Sequence, residues 1–309
     1  MSSSRVPFVL AVAILGLATS VTAQTALSGP EVEALSEALR ADQRAHAAQN
    51  GHQHDFARSG PLHAFCAGQW VGDGKQGAGG VIVPPAGYYA AIKAVLDQHD
   101  IILIDDEVIN GFGRTGEWWG CQSLGMTPTT ISAAKQMTAA YAPLGAVMVP
   151  EDIYQAYVDH SAKLGSFSHG FTYGGHPLGC ALGVKAIEIY QKRDIIGHVR
   201  KLAPVFAARM DRVAKHPLVG EARYCGLMGG VELVADKATK RPFDPKSGVG
   251  PQVARILEGH GAILRAIGDT IALCPPMVIT EAKLTELFDR LVKGVAHAET
   301  RVAKAGLRA

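Results

Sequence analysis

The chain has 309 residues, 48% of them hydrophobic and 19% charged, with a formal net charge of +2. That length permits one large core or two moderate ones, and two domains are the expected division. A charge so near balance excludes the electrostatic footprint of a nucleic-acid binder or of a protein held on an anionic membrane surface. Glycine, with 35 residues, is over-represented, which predicts tight turns and close approaches of backbone. The cysteines Cys66, Cys121, Cys180, Cys225 and Cys274 are scattered and form no C-x-x-C pair. This argues against a disulfide framework and a structural zinc site, so no metal is expected and a reducing compartment is favoured.

The first residues point elsewhere. Arg5 precedes an apolar run from Val6 to Ala18, and Val21 and Ala23 are small residues placed for cleavage after Ala23. Residues 1–23 are therefore a candidate signal peptide, with a buried N-terminal helix as the alternative; the run is short for a membrane span. Residues 24–75 form a linker-like segment with a short amphipathic helix from Glu31 to Arg44. A His-rich stretch follows, with His46, His52, His54, His63 and Cys66, in which no pair has a convincing ligand spacing. A polar linker is the preferred reading over a metal site.

From Gln76 onward the elements alternate. A short strand is expected at Val81–Val83 before Pro84 and Pro85, then a helix from Gly87 to Gln98. The continuous apolar run Ile101–Ile104 predicts a parallel strand buried on both faces. Leu144 to Val149 reads as another strand, followed by helices from Glu151 to about His160 and from Pro177 to Arg193. A second unit then mixes helices (His198–Lys215, Pro251–His260) with strands at Gly229–Val234, Ile263–Leu264 and Ile271–Leu273. It closes on an amphipathic helix, Glu281–Lys304. The pattern predicts an α/β domain over residues 76–193 and a smaller α+β domain over 194–309.

Two segments carry candidate chemistry. In Ile101–Gly116, IILIDDEVINGFGRTG, acids emerge at the C-terminal end of a buried strand, where α/β sheets place their ligands. Such an acid can bind a metal, act as a base or pair with a cation. In Ser132–Met137 a lone Lys135 stands among small and apolar residues. It is either a surface lysine or an amine desolvated enough to act as a nucleophile. The glycines of Gly74–Gly80, GKQGAGG, lack the G-x-G-x-x-G spacing and an apolar strand ahead of them, which excludes a dinucleotide site.

Taken together, these segments resemble a known family. IDDEVINGFGRTG is similar to the signature of class III aminotransferases, and AAKQMTAAYAPLGAVMV to the same family's lysine segment. HGFTYGGHPLGCALG resembles its next block, and LRAIGDTIALCPPMVIT the C-terminal block of the amine:pyruvate, or ω-transaminase, branch. The similarity runs almost continuously from Gln76 to the end.

The resemblance implies an α/β fold, fold type I of the enzymes that use pyridoxal 5′-phosphate (PLP), with a mainly parallel sheet in a partial large domain. The implied reaction moves an amino group between an amine or ω-amino acid and an α-keto acid such as pyruvate. By resemblance, Lys135 holds PLP covalently and moves the reaction's proton. Asp106 faces the pyridine nitrogen and keeps it protonated, so that the ring can accept electrons. Val108 packs against one ring face, and Thr172 reaches the cofactor phosphate from the second subunit of a homodimer. Arg265 binds the substrate carboxylate with its planar fork, the alternative being an ordinary strand-end arginine.

Glu107 is expected to steady Asp106, Arg114 to brace its turn, and Trp118 and Trp119 either to line the entrance or to fill the core. An aminomutase or a decarboxylase shares the family, as does a non-catalytic remnant. The family's Gly-Ser-rich phosphate cup has no counterpart in residues 1–75, which predicts weak PLP binding by the chain as given. The aminotransferase part is expected to be cytoplasmic, with a leader that could direct export.

Overall fold

The computed structural model describes residues 66–67 (backbone alone), 80–84, 87–98, 102–167 and 170–308. The candidate signal peptide, the Glu31–Arg44 helix, the His-rich stretch and residues 74–79 lie outside them. Two four-stranded sheets organise the described chain. In the first, β1 (Cys66–Ala67), β2 (Ile104–Asp106) and β3 (Thr130–Ala133) run parallel, and β4 (Ala146–Met148) is antiparallel to β3. The mainly parallel expectation holds, and β1 falls inside the segment where no strand is expected.

Helix α1 (Tyr88–Gln98) buries Tyr88, Tyr89, Ile92 and Leu96, which cluster with Leu103, Cys121 and Met126 beneath the first sheet. Their spacing of three and four residues puts them on one helical face. After the single turn α2 (Gly120–Ser123) come α3 (Glu151–Leu164), α4 (Pro177–Lys192) and α5 (Ile195–Ala214).

The second sheet is antiparallel in the order β5-β6-β8-β7, from β5 (Val219–Cys225), β6 (Met228–Leu233), β7 (Arg265–Ile267) and β8 (Thr270–Leu273). Helices α5, α6 (Val249–Gly259) and α7 (Glu281–Lys304) contribute to its core, where Phe206 and Phe288 meet edge-on at 5.3 Å. The final helix has the expected bounds. Thr280 caps it by accepting a hydrogen bond from the Lys283 N–H.

Two expectations fail for physical reasons. Val81–Pro84 is not a strand: Val81 has φ +57°, and Arg223 donates to the Gly80 carbonyl at 2.9 Å, tying this segment to the second sheet. The Ile101–Ile104 run is not covered on both faces either. Leu103 is 2% exposed, but Ile102 and Ile104 are 49% and 38% exposed, because one face of the strand has no cover among the described residues.

The sequence boundary at 193/194 separates α4 from α5, but the hydrophobic core runs across it. Phe112, Ala133, Met137 and Ala146 join the same cluster as Val199, Phe206 and Val231. Arg114, 3% exposed, donates to the carbonyls of Pro275 at 2.6 Å and Leu227 at 3.4 Å, so its turn is locked to the second sheet. Gly226, at φ +57°, completes the lock, since a Cβ there would lie 2.5 Å from the Arg114 carbonyl oxygen.

Phe206 is fully buried beside Phe288. Phe206→Ala is expected to lower stability by about 3–5 kcal/mol through lost burial and a residual cavity. A denaturant midpoint that falls with an unchanged slope checks this.

Candidate active site

Strand geometry arranges the acids of β2. Successive side chains point to opposite faces, so Asp105 and Glu107 turn inward while Asp106 shares the open face with Ile104. Asp105 and Glu107 are each 1% exposed. Asp106 pairs in register with Ser132 of β3, and the Glu107 N–H donates to the Ser132 carbonyl at 2.8 Å. Three residues beyond Ser132 stands Lys135. The parallel pairing therefore brings the acid and the amine, 29 residues apart in sequence, to neighbouring strand ends.

The two groups sense each other. The Val108 N–H donates to the Asp106 carboxylate at 3.0 Å and fixes its direction. Burial raises the Asp106 pKa, while that hydrogen bond and the Lys135 charge pull it back. Lys135 is exposed, yet desolvation on its protein side lowers its pKa, opposed by Asp106 and by Cys274. A larger fraction of this amine is therefore neutral at a given pH than for an ordinary lysine.

The lysine turn is held from several sides. Lys135 opens a 3₁₀ turn, Lys135–Thr138, with its own φ at +45°. Tyr190 of α4 donates to the Gln136 carbonyl at 2.7 Å, and Thr138 donates to the Ala142 carbonyl at 2.6 Å. Gly183 lets α4 approach, since a Cβ there would lie 3.0 Å from Leu144.

The other expected residues divide. Val108 is half-buried directly after the acids. Arg265 is exposed at the start of β7, opposite Ala272 in the ladder. Cys274, two residues past Ala272, lies within electrostatic reach of Lys135, so Arg265 stands at the end of the second sheet that faces the lysine. Thr172 is exposed, and among the described residues no hydrogen bond brings it to Lys135.

Trp118 and Trp119 are partly buried and pack against the core, with Trp119 5.0 Å from the Phe112 ring. Glu107 accepts from the Gly120 and Cys121 N–H groups at 2.8 and 2.6 Å and ties the start of α2 back to the end of β2. Sequence reasoning missed two features. Cys274 beside the lysine carried no signal beyond its place in the C-terminal block. The convergence of Asp105, Glu107 and Cys121 within 4.8 Å was foreshadowed by two acids at alternate strand positions.

This geometry has counterparts. An omega-aminotransferase from Paracoccus denitrificans superposes with a TM-score of 0.75 at 36% identity, covering 91% of this chain and 59% of that one. An omega transaminase from Pseudomonas jessenii in complex with PMP gives 0.75 at 31% identity, with the same coverages of 91% and 59%. The fold is thus fold type I of the PLP-dependent transaminases. The class-III aminotransferase family model matches residues 72–295, and the chain belongs to that family. A probable gamma-aminobutyrate transaminase 3, mitochondrial, from Oryza sativa subsp. indica is 41% identical over 235 residues, which are 76% of this chain and 46% of the relative. The chain spans about half the length of such relatives.

The site's electrostatics are testable without any ligand. With its lowered pKa, Lys135 is expected to be acylated near neutral pH faster than the exposed Lys185, which is paired with Glu188. Asp106→Asn removes a charge that favours the ammonium, so labelling of Lys135 should quicken further. Competitive labelling followed by peptide mapping reads both rates.

Proposed function

We propose that the protein is a PLP-dependent transaminase that moves an amino group between an amine or ω-amino acid and an α-keto acid such as pyruvate. The observation that carries this reading is the pair Lys135 and Asp106 at adjacent strand ends, in a chain of the class-III aminotransferase family. The donor set fits PLP. Lys135 supplies a partly desolvated amine for the aldehyde, and Asp106, oriented by the Val108 N–H, supplies a fixed negative charge for a pyridinium nitrogen. PLP bound there supplies an electron sink for a substrate carbanion. The amine of Lys135 would be the base that takes and returns the proton at the substrate Cα. Val108 limits the space on one ring face.

Arg265 is assigned to the substrate carboxylate. Its position at the lysine-facing end of the β7–β8 ladder supports this, as does the capacity of a guanidinium for two parallel hydrogen bonds. Thr172 is assigned to the cofactor phosphate of a second copy of the chain. It stands within an exposed apolar surface: α3 buries none of its residues here, and Tyr141, Tyr173 and Leu178 are 82%, 79% and 63% exposed. Such a surface fits a homodimer interface.

Incubation with PLP, borohydride reduction and peptide mapping are expected to place the pyridoxyl group on Lys135. The group on another lysine removes the assignment. In Asp106→Asn the label should still form while transamination falls by orders of magnitude, because the ring nitrogen loses its counter-charge.

For Arg265→Ala, the expected result is a rise in KM for pyruvate and amino acids of about ten- to a hundredfold, matching a charge-assisted contact of roughly 1.5–3 kcal/mol. A plain amine should be little affected. Steady-state kinetics with both donor types separates this from a structural role, which would alter both alike.

A further inference from the structure

Beneath the open face of β2 lies a second arrangement of acids that the proposed chemistry leaves unused. Asp105 and Glu107 are each 1% exposed, and one carboxylate oxygen of each and the Cys121 sulfur lie within 4.8 Å of one another. Glu107 is well satisfied, since each oxygen accepts a backbone N–H, from Gly120 and from Cys121. Asp105 is not: its buried Oδ2 has no hydrogen-bond partner. Two buried carboxylates this close cannot both stay charged without a cation, and a carboxylate oxygen facing another carboxylate gains a hydrogen bond when one of them carries a proton.

We propose that Asp105 is a neutral carboxylic acid that donates its proton in a hydrogen bond to Glu107, and so acts as a positioning residue for Asp106. The shared proton leaves one negative charge on the inner face of β2, where Glu107 spends it on the N–H groups of Gly120 and Cys121. The inner pair thereby anchors the strand end from below, while Asp106 on the opposite face keeps its own charge towards Lys135. The groups facing Asp105 agree with this. Burial, then Glu107 and Asp106, raise its pKa to about 9, and the Cys121 thiol, whose hydrogen bond opposes the shift, is itself pushed by burial up to about 12. Asp105 and Cys121 are thus both neutral at physiological pH. The described residues show no basic side chain bonded to either carboxylate of the pair.

The positioning role rests on the proposed function, but the proton does not, so the two can fail separately. Infrared spectroscopy of the unmutated chain, without PLP, is expected to show the carbonyl stretch of a protonated carboxyl group at neutral pH. Asp105→Asn should lose it. Absence of the band in the unmutated chain overturns the proposal whether or not any variant folds, as does a band retained in Asp105→Asn.

Linkage gives a second reading. A carboxyl raised from 3.8 to about 9 in the folded chain stabilises it fully below pH 3.8, and that contribution is lost as pH rises towards 9. Between these limits the folding constant should fall by up to about tenfold per pH unit from this group. The slope should shrink by one proton in Asp105→Asn, and an unchanged slope counts against the proposal.

For positioning, the pH profile of Lys135 acylation should be preserved in Asp105→Asn, whose amide still donates to Glu107, and displaced in Asp105→Ala. Equal displacement in both variants removes that role. Stoichiometric uptake of zinc by the unmutated chain, with loss of the carboxyl band, would put a cation in place of the proton and overturn the assignment.

Discussion

A β-strand turns each successive side chain to the opposite face, and β2 with the residue after it applies this rule to three consecutive acids. Only the middle one, Asp106, emerges on the open side; its neighbours are turned into the protein. The chemistry proposed for the site depends on that separation. An acid that must keep its charge close to a lysine has to be kept apart from other buried charges, or protons would redistribute among them. A shift of β2 by one residue would exchange the inner and outer acids and leave Lys135 facing the wrong face of the strand.

The same strand end is built from both sheets. Arg114 hands hydrogen bonds to Leu227 and Pro275, Gly226 fits against the Arg114 carbonyl, and Cys274 comes within electrostatic reach of Lys135. The lysine turn is braced from the opposite side by Tyr190 of α4. The site is therefore a junction, and its geometry depends on one core continuous across the two sheets.

Much of this was legible from residue types in order. Lys135 and Asp106 were singled out by their motifs, and the last helix by its amphipathic pattern. The strand Val219–Cys225 was not, because its alternation is broken by a buried arginine. Arg223, 9% exposed, pairs with Glu221 and Glu232 and also holds the Gly80 carbonyl. Those contacts let a charge occupy a position that reads as solvent-facing. The contact at Gly80 also explains why the apolar run after it is no strand. A tertiary partner, invisible to local pattern, decided both. The inner acid pair escaped for a related reason: proximity in sequence does not reveal which buried carboxyl lacks a donor.

The backbone of Lys135 carries a cost that its chemistry must justify. A side chain at φ +45° is less stable than glycine would be in the same conformation, by roughly 1–2 kcal/mol. Ala139 and Ala140 repeat that conformation within the same short loop. Replacing Lys135 with glycine would relieve this strain and is expected to give a chain somewhat harder to unfold.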